Sequence, residues 1–246
     1  MKNVKLYMNK PLLLKTVCLA LVKCCAVLCC FALIDNQKIP LVNVVFGGIT
    51  VEESNNLVYV VLCTVPEFLF CNYISNSFIK ELKTNFIYIF LRETNRSKWM
   101  VKTVYKIIVC IVFYEILSMI ILFIVMCIVS KMSVVLLDFL GMLVLYFLKM
   151  LVLAVLTNYL LLRFQETIAI FSNMLMLIVP VFATGMLFSM RGKWEQSVLL
   201  IPFNWGNYNY VTQAQYQPII FAICLVVLYY LLYKLSEKCL KGYELI

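Results

Sequence analysis

Apolar residues in this chain are grouped into six long blocks instead of alternating with polar residues. A helix needs about 20 apolar residues to cross the roughly 30 Å hydrocarbon core of a bilayer. Loops and open strands cannot cross it, because lipid leaves their backbone polar groups without partners. The pattern therefore predicts six membrane-spanning helices, at residues 12–34, 57–74, 104–130, 133–162, 167–190 and 217–235.

The composition agrees with this pattern and excludes several other classes of protein. Hydrophobic residues make up 64% of the 246 positions, and charged residues make up only 13%, whereas soluble domains are about 25% charged. A soluble enzyme, a disordered tail and a small disulfide-stapled secreted domain are therefore excluded. We expect an all-α polytopic membrane protein in which residues 1–246 form a single transmembrane domain.

The charge distribution predicts the orientation of the six helices. The net charge is +9, and fifteen lysines and arginines fall on or next to one face of the predicted membrane: Lys2, Lys5, Lys10, Lys15, Lys80, Lys83, Arg92, Arg96, Lys98, Lys102, Lys106, Arg163, Lys234, Lys238 and Lys241. Only four fall on the opposite face. Because basic residues are retained on the cytoplasmic side, we expect both termini to be cytoplasmic and the protein to span the cell membrane. The charge excess then indicates contact with anionic lipid and gives no reason to expect nucleic acid.

The residue types that the chain lacks exclude most catalytic chemistry. It contains no histidine, so it cannot form an HExxH zinc site or a Ser-His or Cys-His nucleophile pair. No stretch reads GxxxxGK[ST], the phosphate-binding loop of ATPases. The eleven cysteines lie mostly inside the apolar blocks, as small apolar residues do. We therefore expect neither an enzyme nor a metal or cofactor bound by this chain, and any ATP would be hydrolysed by another polypeptide.

The longest predicted cytoplasmic connection, residues 75–103, carries apolar residues at helical spacing beside lysines and arginines. These apolar residues are Ile79, Leu82, Phe86, Ile87 and Phe90. The pattern predicts an amphipathic helix that lies along the membrane surface or against a partner protein. A basic turn at residues 92–99 follows it, and Trp99 can anchor this turn at the lipid headgroups. A lipid-surface helix without any partner stays open as the alternative.

The six helices, the cytoplasmic termini and the turn RETNRSKW at residues 92–99 resemble the ABC-2-type permeases. The likeness is strongest to the small permeases found beside lantibiotic and other bacteriocin genes. It implies a type V exporter-like architecture in the bacterial cell membrane. It also implies that the helix between spans two and three is a coupling helix, which docks into a separate ATPase subunit. The residues that would make this contact are Phe86, Phe90, Arg92, Glu93, Arg96, Lys98 and Trp99.

The same resemblance implies the partners and the cargo. Two cytoplasmic ATPase subunits, with ATP and magnesium bound to them, would act on two copies of this chain or on one copy and a paralogue. The predicted outer segment 191–216, an apolar stretch broken by Pro202, resembles the re-entrant elements between spans five and six of that family. The expected function is export of a hydrophobic or amphipathic peptide, for secretion or self-immunity. A permease for lipid or drug, and a membrane scaffold or sensor subunit without transport, stay open as alternatives.

Four charged residues lie deep inside the predicted spans: Lys23, Glu67, Glu115 and Lys149. Each costs a few kcal/mol near the bilayer centre unless it faces protein or water. Counted from the inner ends of the spans, Glu115 and Lys149 lie at depths of about 16 and 20 Å, and Lys23 and Glu67 at about 16 and 11 Å. These depths predict two ion pairs, Glu115 with Lys149 and Lys23 with Glu67. A polar lining of a substrate path and snorkelling toward the lipid surface are the alternatives.

The fifth predicted span contains Pro180 and Gly185. Both residues weaken the hydrogen-bond ladder of a helix, and they therefore predict a hinge in this span. A glycine in a membrane helix is equally typical of close packing against a neighbouring element, and this interpretation stays open beside the hinge.

Overall fold

The computed structural model describes residues 10–33, 41–92, 96–129, 136–190 and 193–242, and every regular element in these ranges is helical. In chain order the α-helices are α1 (Lys10–Leu33), α2 (Leu41–Phe46), α3 (Leu57–Arg92), α4 (Arg96–Val129), α5 (Leu136–Arg163), α6 (Glu166–Ser189), α7 (Trp194–Leu200), α8 (Tyr208–Gln213) and α9 (Pro218–Lys241). Two 3₁₀ turns, Glu53–Asn55 and Pro202–Asn204, lie in the connections. The predicted all-helical fold is confirmed for these residues.

Six of the helices are long and apolar enough to cross a membrane: α1, α3, α4, α5, α6 and α9. Each of them overlaps one of the six predicted spans. The central helix is α5, since it packs against α3, α4, α6 and α9 and every residue from 150 to 158 is buried. At the periphery, α9 leaves one face exposed along its whole length. The exposed side chains of this face are mostly Ile, Val and Leu, which suit contact with lipid.

The helix α3 is longer than predicted. It runs without interruption from Leu57 to Arg92, over 36 residues, and α4 begins at Arg96. The prediction of a separate helix within residues 75–103 that lies along the membrane surface is therefore wrong: these residues extend spans two and three. The physical reason is that no proline or glycine occurs from residue 75 to residue 92, so nothing in the sequence ends the helix there. The alternative, that this amphipathic stretch lies against a partner protein, stays a prediction.

The apolar face of this extension packs inside the bundle. Ile79 and Leu82 belong to one buried cluster with Trp99, with Leu160 of α5 and with Leu240 of α9. Trp99 is only 8% exposed, so the prediction that it anchors at lipid headgroups is wrong. The cluster ties the hairpin of α3 and α4 to the ends of α5 and α9.

Hydrogen bonds define the two ends of the bundle. At one end, which we call the terminal end, Arg96 Nη1 donates to the carbonyl oxygens of Leu240 (3.2 Å) and Lys241 (2.7 Å). Ser97 Oγ donates to Glu237 at 2.7 Å. These contacts hold the last turn of α9 beside the first turn of α4. The short helices α2, α7 and α8 lie at the opposite end, which we call the loop end.

Two segments that are far apart in sequence interlock at the loop end. The backbone N–H of Asn209 donates to Gly47 O (2.9 Å), and Asn209 Nδ2 donates to Gly48 O (2.7 Å). Asn207 Nδ2 donates to Ile49 O at 2.9 Å. Gly48 has a φ of 82°, and an added Cβ there would lie 2.7 Å from Asn207 Oδ1. Glycine is therefore required at position 48, where the backbone of residues 47–49 accepts hydrogen bonds from Asn207 and Asn209.

The predicted re-entrant segment 191–216 is described from residue 193 onward. It folds as α7, a 3₁₀ turn and α8, and an added Cβ at Gly206 would overlap the side chain of Lys149. Lys149 lies about 20 Å along α5 from Leu136, the first residue of that helix. The segment therefore enters the bundle from the loop end. Its re-entrant placement within a membrane stays a prediction.

Replacing Gly48 with alanine should weaken the interlock. The new Cβ forces a strained backbone at positive φ and displaces the Asn207 amide, so we expect the free energy of unfolding to fall by about 1–3 kcal/mol. The measurement is thermal unfolding of the detergent-solubilised protein. Gly242→Ala is the matched control, because an added Cβ there meets nothing closer than 3.9 Å. Equal midpoints for the two variants would contradict this account of Gly48.

Candidate functional site

The buried charges of the bundle are arranged around one ion pair between α3 and α5. Glu67 Oε2 lies 2.6 Å from Lys149 Nζ, and both side chains are largely buried. The predicted pairs, Glu115 with Lys149 and Lys23 with Glu67, are therefore wrong. The contact between α3 and α5, and not the one between α4 and α5, carries the ion pair.

The register between α3 and α5 explains this pairing. Ser75 Oγ donates to Ala154 O at 3.0 Å, and Cys71 Sγ lies 3.8 Å from Met150 O, each contact joining residues 79 positions apart. The same offset of 79 places Glu67 opposite Tyr146 of α5, and Lys149 lies within one helical turn of Tyr146. A depth counted for Glu67 from residue 74 is too small, because α3 does not end at that residue. The two parallel helices therefore bring these charges to the same level.

The second buried cation, Lys23, is surrounded by aromatic rings. Its Nζ donates to the hydroxyl of Tyr146 at 2.7 Å. It lies 3.9 Å from the ring centroid of Tyr146, 4.8 Å from that of Phe46 and 5.4 Å from that of Tyr114. The electron-rich faces of such rings attract a cation and replace part of its hydration. A hydroxyl and three rings thus take the place of the carboxylate predicted for Lys23.

Three charged residues, Lys23, Glu67 and Lys149, line one small cavity together with Asn204 and Asn207. The cavity has about 30 Å³ of space for water, and a buried water needs roughly 10–15 Å³. It has room for one or two water molecules and none for a peptide. We call this cavity and the residues that line it the polar centre. In this conformation it is a closed structural site. The ion-pair interpretation of these residues is therefore favoured over the polar lining of a path.

The fourth predicted residue, Glu115, lies apart from this cavity. It is 9% exposed, and its Oε1 is buried without a hydrogen-bond partner among the described residues. Its side chain lines a groove on the outside of the bundle, between α5 and α9. The four charges therefore occupy two sites, with three in the interior and one in this groove.

A tyrosine and a carboxylate meet at the loop end of the same groove. Tyr208 OH donates to Asp138 Oδ1 at 2.9 Å, and both residues line this part of the groove. Burial, together with the hydrogen bond to Asp138, raises the pKa of Tyr208 to about 12. The hydroxyl therefore stays protonated at neutral pH and remains a donor to the carboxylate.

The residues predicted to contact an ATPase differ in their surroundings. Arg96 binds the last carbonyl oxygens of α9, and Trp99 is buried. Lys98 is exposed and is therefore the described residue of this set best placed to contact a partner. The other four predictions fall on side chains outside the described part of the structure: Phe86, Phe90, Arg92 and Glu93.

The predicted hinge lies in α6, which passes through Pro180 and Gly185 without a break. An added Cβ at Gly185 would lie 2.5 Å from Ser54 Oγ, so this glycine lets the 3₁₀ turn Glu53–Asn55 approach the helix. Thr184, its neighbour, accepts a hydrogen bond from Asn204 Nδ2 at 2.9 Å. These contacts favour the packing interpretation of Gly185, and the hinge stays a prediction.

Sequence reasoning missed the aromatic and amide residues of the polar centre. Tyr114 and Tyr146 lie in the middle of predicted spans, where a hydroxyl usually needs a buried partner, and this signal could have identified them. Phe46 carries no comparable signal. Asn204 and Asn207 lie in a polar segment whose partners are determined by tertiary contacts alone.

The fold and this site define an all-helical protein with six helices able to cross a membrane and an ion pair buried between two of them. A family model described as protein of unknown function (DUF2705) matches residues 17–238. The chain belongs to this family. No curated protein and no solved structure matches the chain.

Glu67→Gln should test the central ion pair, because it removes the charge partner of Lys149 while keeping the size of the side chain. We expect the free energy of unfolding to fall by roughly 3–5 kcal/mol, since a buried cation is left unpaired. The double variant Glu67→Gln/Lys149→Met should recover most of this loss. The measurement is unfolding of the purified protein in mixed detergent micelles.

Two further variants serve as controls for this experiment. Glu81→Gln breaks a partly exposed ion pair with Lys106 (3.3 Å), and pairs near the surface contribute only about 0–1 kcal/mol. Glu115→Gln should also have a small effect, because Glu115 has no ion-pair partner among the described residues. A larger loss for Glu115→Gln than for Glu67→Gln would contradict the pairing.

Proposed function

We propose that this chain is the membrane-spanning subunit of an ATP-driven ABC exporter in the bacterial cell membrane, with both termini in the cytoplasm. The observation that carries the proposal is the length of the α3–α4 hairpin at the terminal end. Asn76 of α3 binds Glu166, the first residue of α6. About 24 Å of α3 continues past Asn76 to Arg92. This extension of α3 past the start of α6 offers a soluble ATPase a place to bind.

The solvent-facing side of the α3–α4 hairpin carries positive charge. Lys80 and Lys83 of α3 and Lys98 of α4 are exposed, whereas Ile79 and Leu82 face the bundle. We infer that the basic side contacts the ATPase subunits. In this proposal the same contact surface includes Phe86, Phe90, Arg92 and Glu93.

The buried cluster behind this surface supports a mechanical link to the long helices. Trp99 and Leu82 pack with residues from the ends of α5, α6 and α9, and Arg96 holds the last carbonyl oxygens of α9. When two ATPase subunits bind ATP and close, they would displace the hairpin and move these helices as a rigid body. That movement would switch the substrate path between inward-facing and outward-facing states.

The substrate path in this proposal lies between two copies of the chain, or between this chain and a paralogue. The polar centre of one chain has room for only one or two water molecules, so a peptide would not pass through it. The exposed faces of α6 and α9 are apolar and would meet the second subunit or lipid. A hydrophobic or amphipathic peptide could enter such a path sideways from the membrane. A lipid or a drug is the alternative cargo.

A membrane scaffold or sensor subunit is the alternative from another class of protein. The closed polar centre favours it as well, because a scaffold needs no path. The two functions differ in one observable, namely ATP hydrolysis that depends on the surface of the hairpin.

The double variant Lys83→Glu/Lys98→Glu tests the exporter proposal by reversing the charge of the proposed contact surface. We expect the ATPase activity that co-purifies with the tagged chain to fall about tenfold. A basic contact surface implies acidic groups on the ATPase, and the new carboxylates would repel them. The measurement is vanadate-sensitive ATP hydrolysis in complexes purified from native membranes in mild detergent, at equal amounts of the chain.

Lys193→Glu is the control for this double variant. Lys193 is also exposed, but it lies next to α7 at the loop end, so the variant should keep the wild-type activity. The proposal fails if no ATPase activity accompanies the wild-type chain, a result that favours the scaffold. It also fails if Lys193→Glu removes as much activity as the double variant.

A further inference from the structure

A long groove with apolar walls runs along the outside of the bundle between α5 and α9. Its larger part has a volume of about 630 Å³, and the part nearest to the loop end has a volume of about 530 Å³. Val144 and Ala222 line both parts, so the groove is continuous. Volumes of this size are typical of pockets for small organic ligands.

The charged side chains that line this groove are both acidic. Glu115 lines the larger part, and Asp138 lines the part at the loop end. No lysine or arginine occurs among the described residues that line either part, although the whole chain has a net charge of +9. The groove therefore favours a cationic ligand over a neutral or anionic ligand of the same shape.

Glu115 is the group that would recognise the charge of a ligand. Its side chain is 9% exposed, and its Oε1 is buried without a hydrogen-bond partner among the described residues. An unpaired carboxylate among apolar side chains is unfavourable, and an ammonium group would satisfy it with a charge-assisted hydrogen bond. Asp138 differs, because Tyr208 already donates to it.

We propose that this groove binds a cationic amphiphile. The apolar body of the ligand lies against α5 and α9, and its amine or ammonium group contacts the carboxylate of Glu115. Val144 and Val227 are about half exposed, so the ligand enters sideways, from the apolar medium around the bundle. This inference goes beyond the proposed exporter, since it concerns binding to the isolated chain and is tested without an ATPase.

Dodecylamine and dodecanol are the probes for this proposal, because they share the same alkyl chain and differ in charge at neutral pH. Their binding to the purified full-length protein is measured by native mass spectrometry in detergent. We expect the wild-type protein to bind dodecylamine about tenfold more tightly than dodecanol. Glu115→Gln should remove this difference, leaving the affinity for dodecanol unchanged.

Three controls accompany these probes. Glu81→Gln makes the same substitution outside the groove and should leave both affinities unchanged. Val144→Trp fills the junction of the two parts of the groove and should weaken both ligands. If Glu115→Gln fails to fold, a hydrophobic carbodiimide can be used on the wild-type protein. Dodecyltrimethylammonium, a cation that an activated carboxyl cannot acylate, should protect Glu115 from modification, and dodecanol should not.

Several results would overturn the proposal. Equal affinities of the wild-type protein for the amine and the alcohol would make the groove a merely apolar surface. Amine binding that survives Glu115→Gln would remove the role of the carboxylate. If Glu115 reacts with the carbodiimide only after a dimer dissociates, a second copy of the chain covers the groove, and no amphiphile occupies it.

Discussion

The ion pair between Glu67 and Lys149 is the interaction on which the arrangement of the bundle depends. Within an apolar interior, removing one partner of such a pair leaves a charge without compensation. The pair therefore fixes how far α3 can slide along α5, and Ser75 meets the backbone of α5 in the same register. Gly206 lies against the stem of Lys149, so the segment from the loop end closes over the pair.

The interior holds two cations, Lys23 and Lys149, but only one carboxylate that is paired with either of them. Tyr146 stabilises the cation that has no carboxylate partner. Its hydroxyl accepts a hydrogen bond from Lys23, and its ring lies 3.9 Å from Lys23 Nζ and 5.7 Å from Lys149 Nζ. One aromatic side chain thus stands between two like charges and offers its electron-rich face to both. Glu115 forms no ion pair with these cations among the described residues, although the charge of Lys23 still acts on it.

The sequence was sufficient for the six long helices, because length and apolarity are properties of each segment by itself. It was insufficient for the end of α3: polar residues after residue 74 mark where apolar sequence stops, but they do not end a helix. It was also insufficient for the pairing of Glu67 with Lys149. Counting residues along a helix gives the depth of a charge only if the end of the helix is known. It does not give the direction in which the charge points, which depends on how neighbouring helices pack.

During synthesis, the backbone of residues 47–49 is made long before the residues that form hydrogen bonds with it. Gly48 O accepts from Asn209, a residue made 161 positions later. At roughly 5–20 residues per second, the ribosome needs about 8–32 s to cover that distance. In this interval α1 to α6 can associate around Glu67 and Lys149, while the loop end stays open to solvent. The residues that bind this backbone are therefore made after α1 to α6, and the interlock at the loop end forms only after α8 leaves the ribosome.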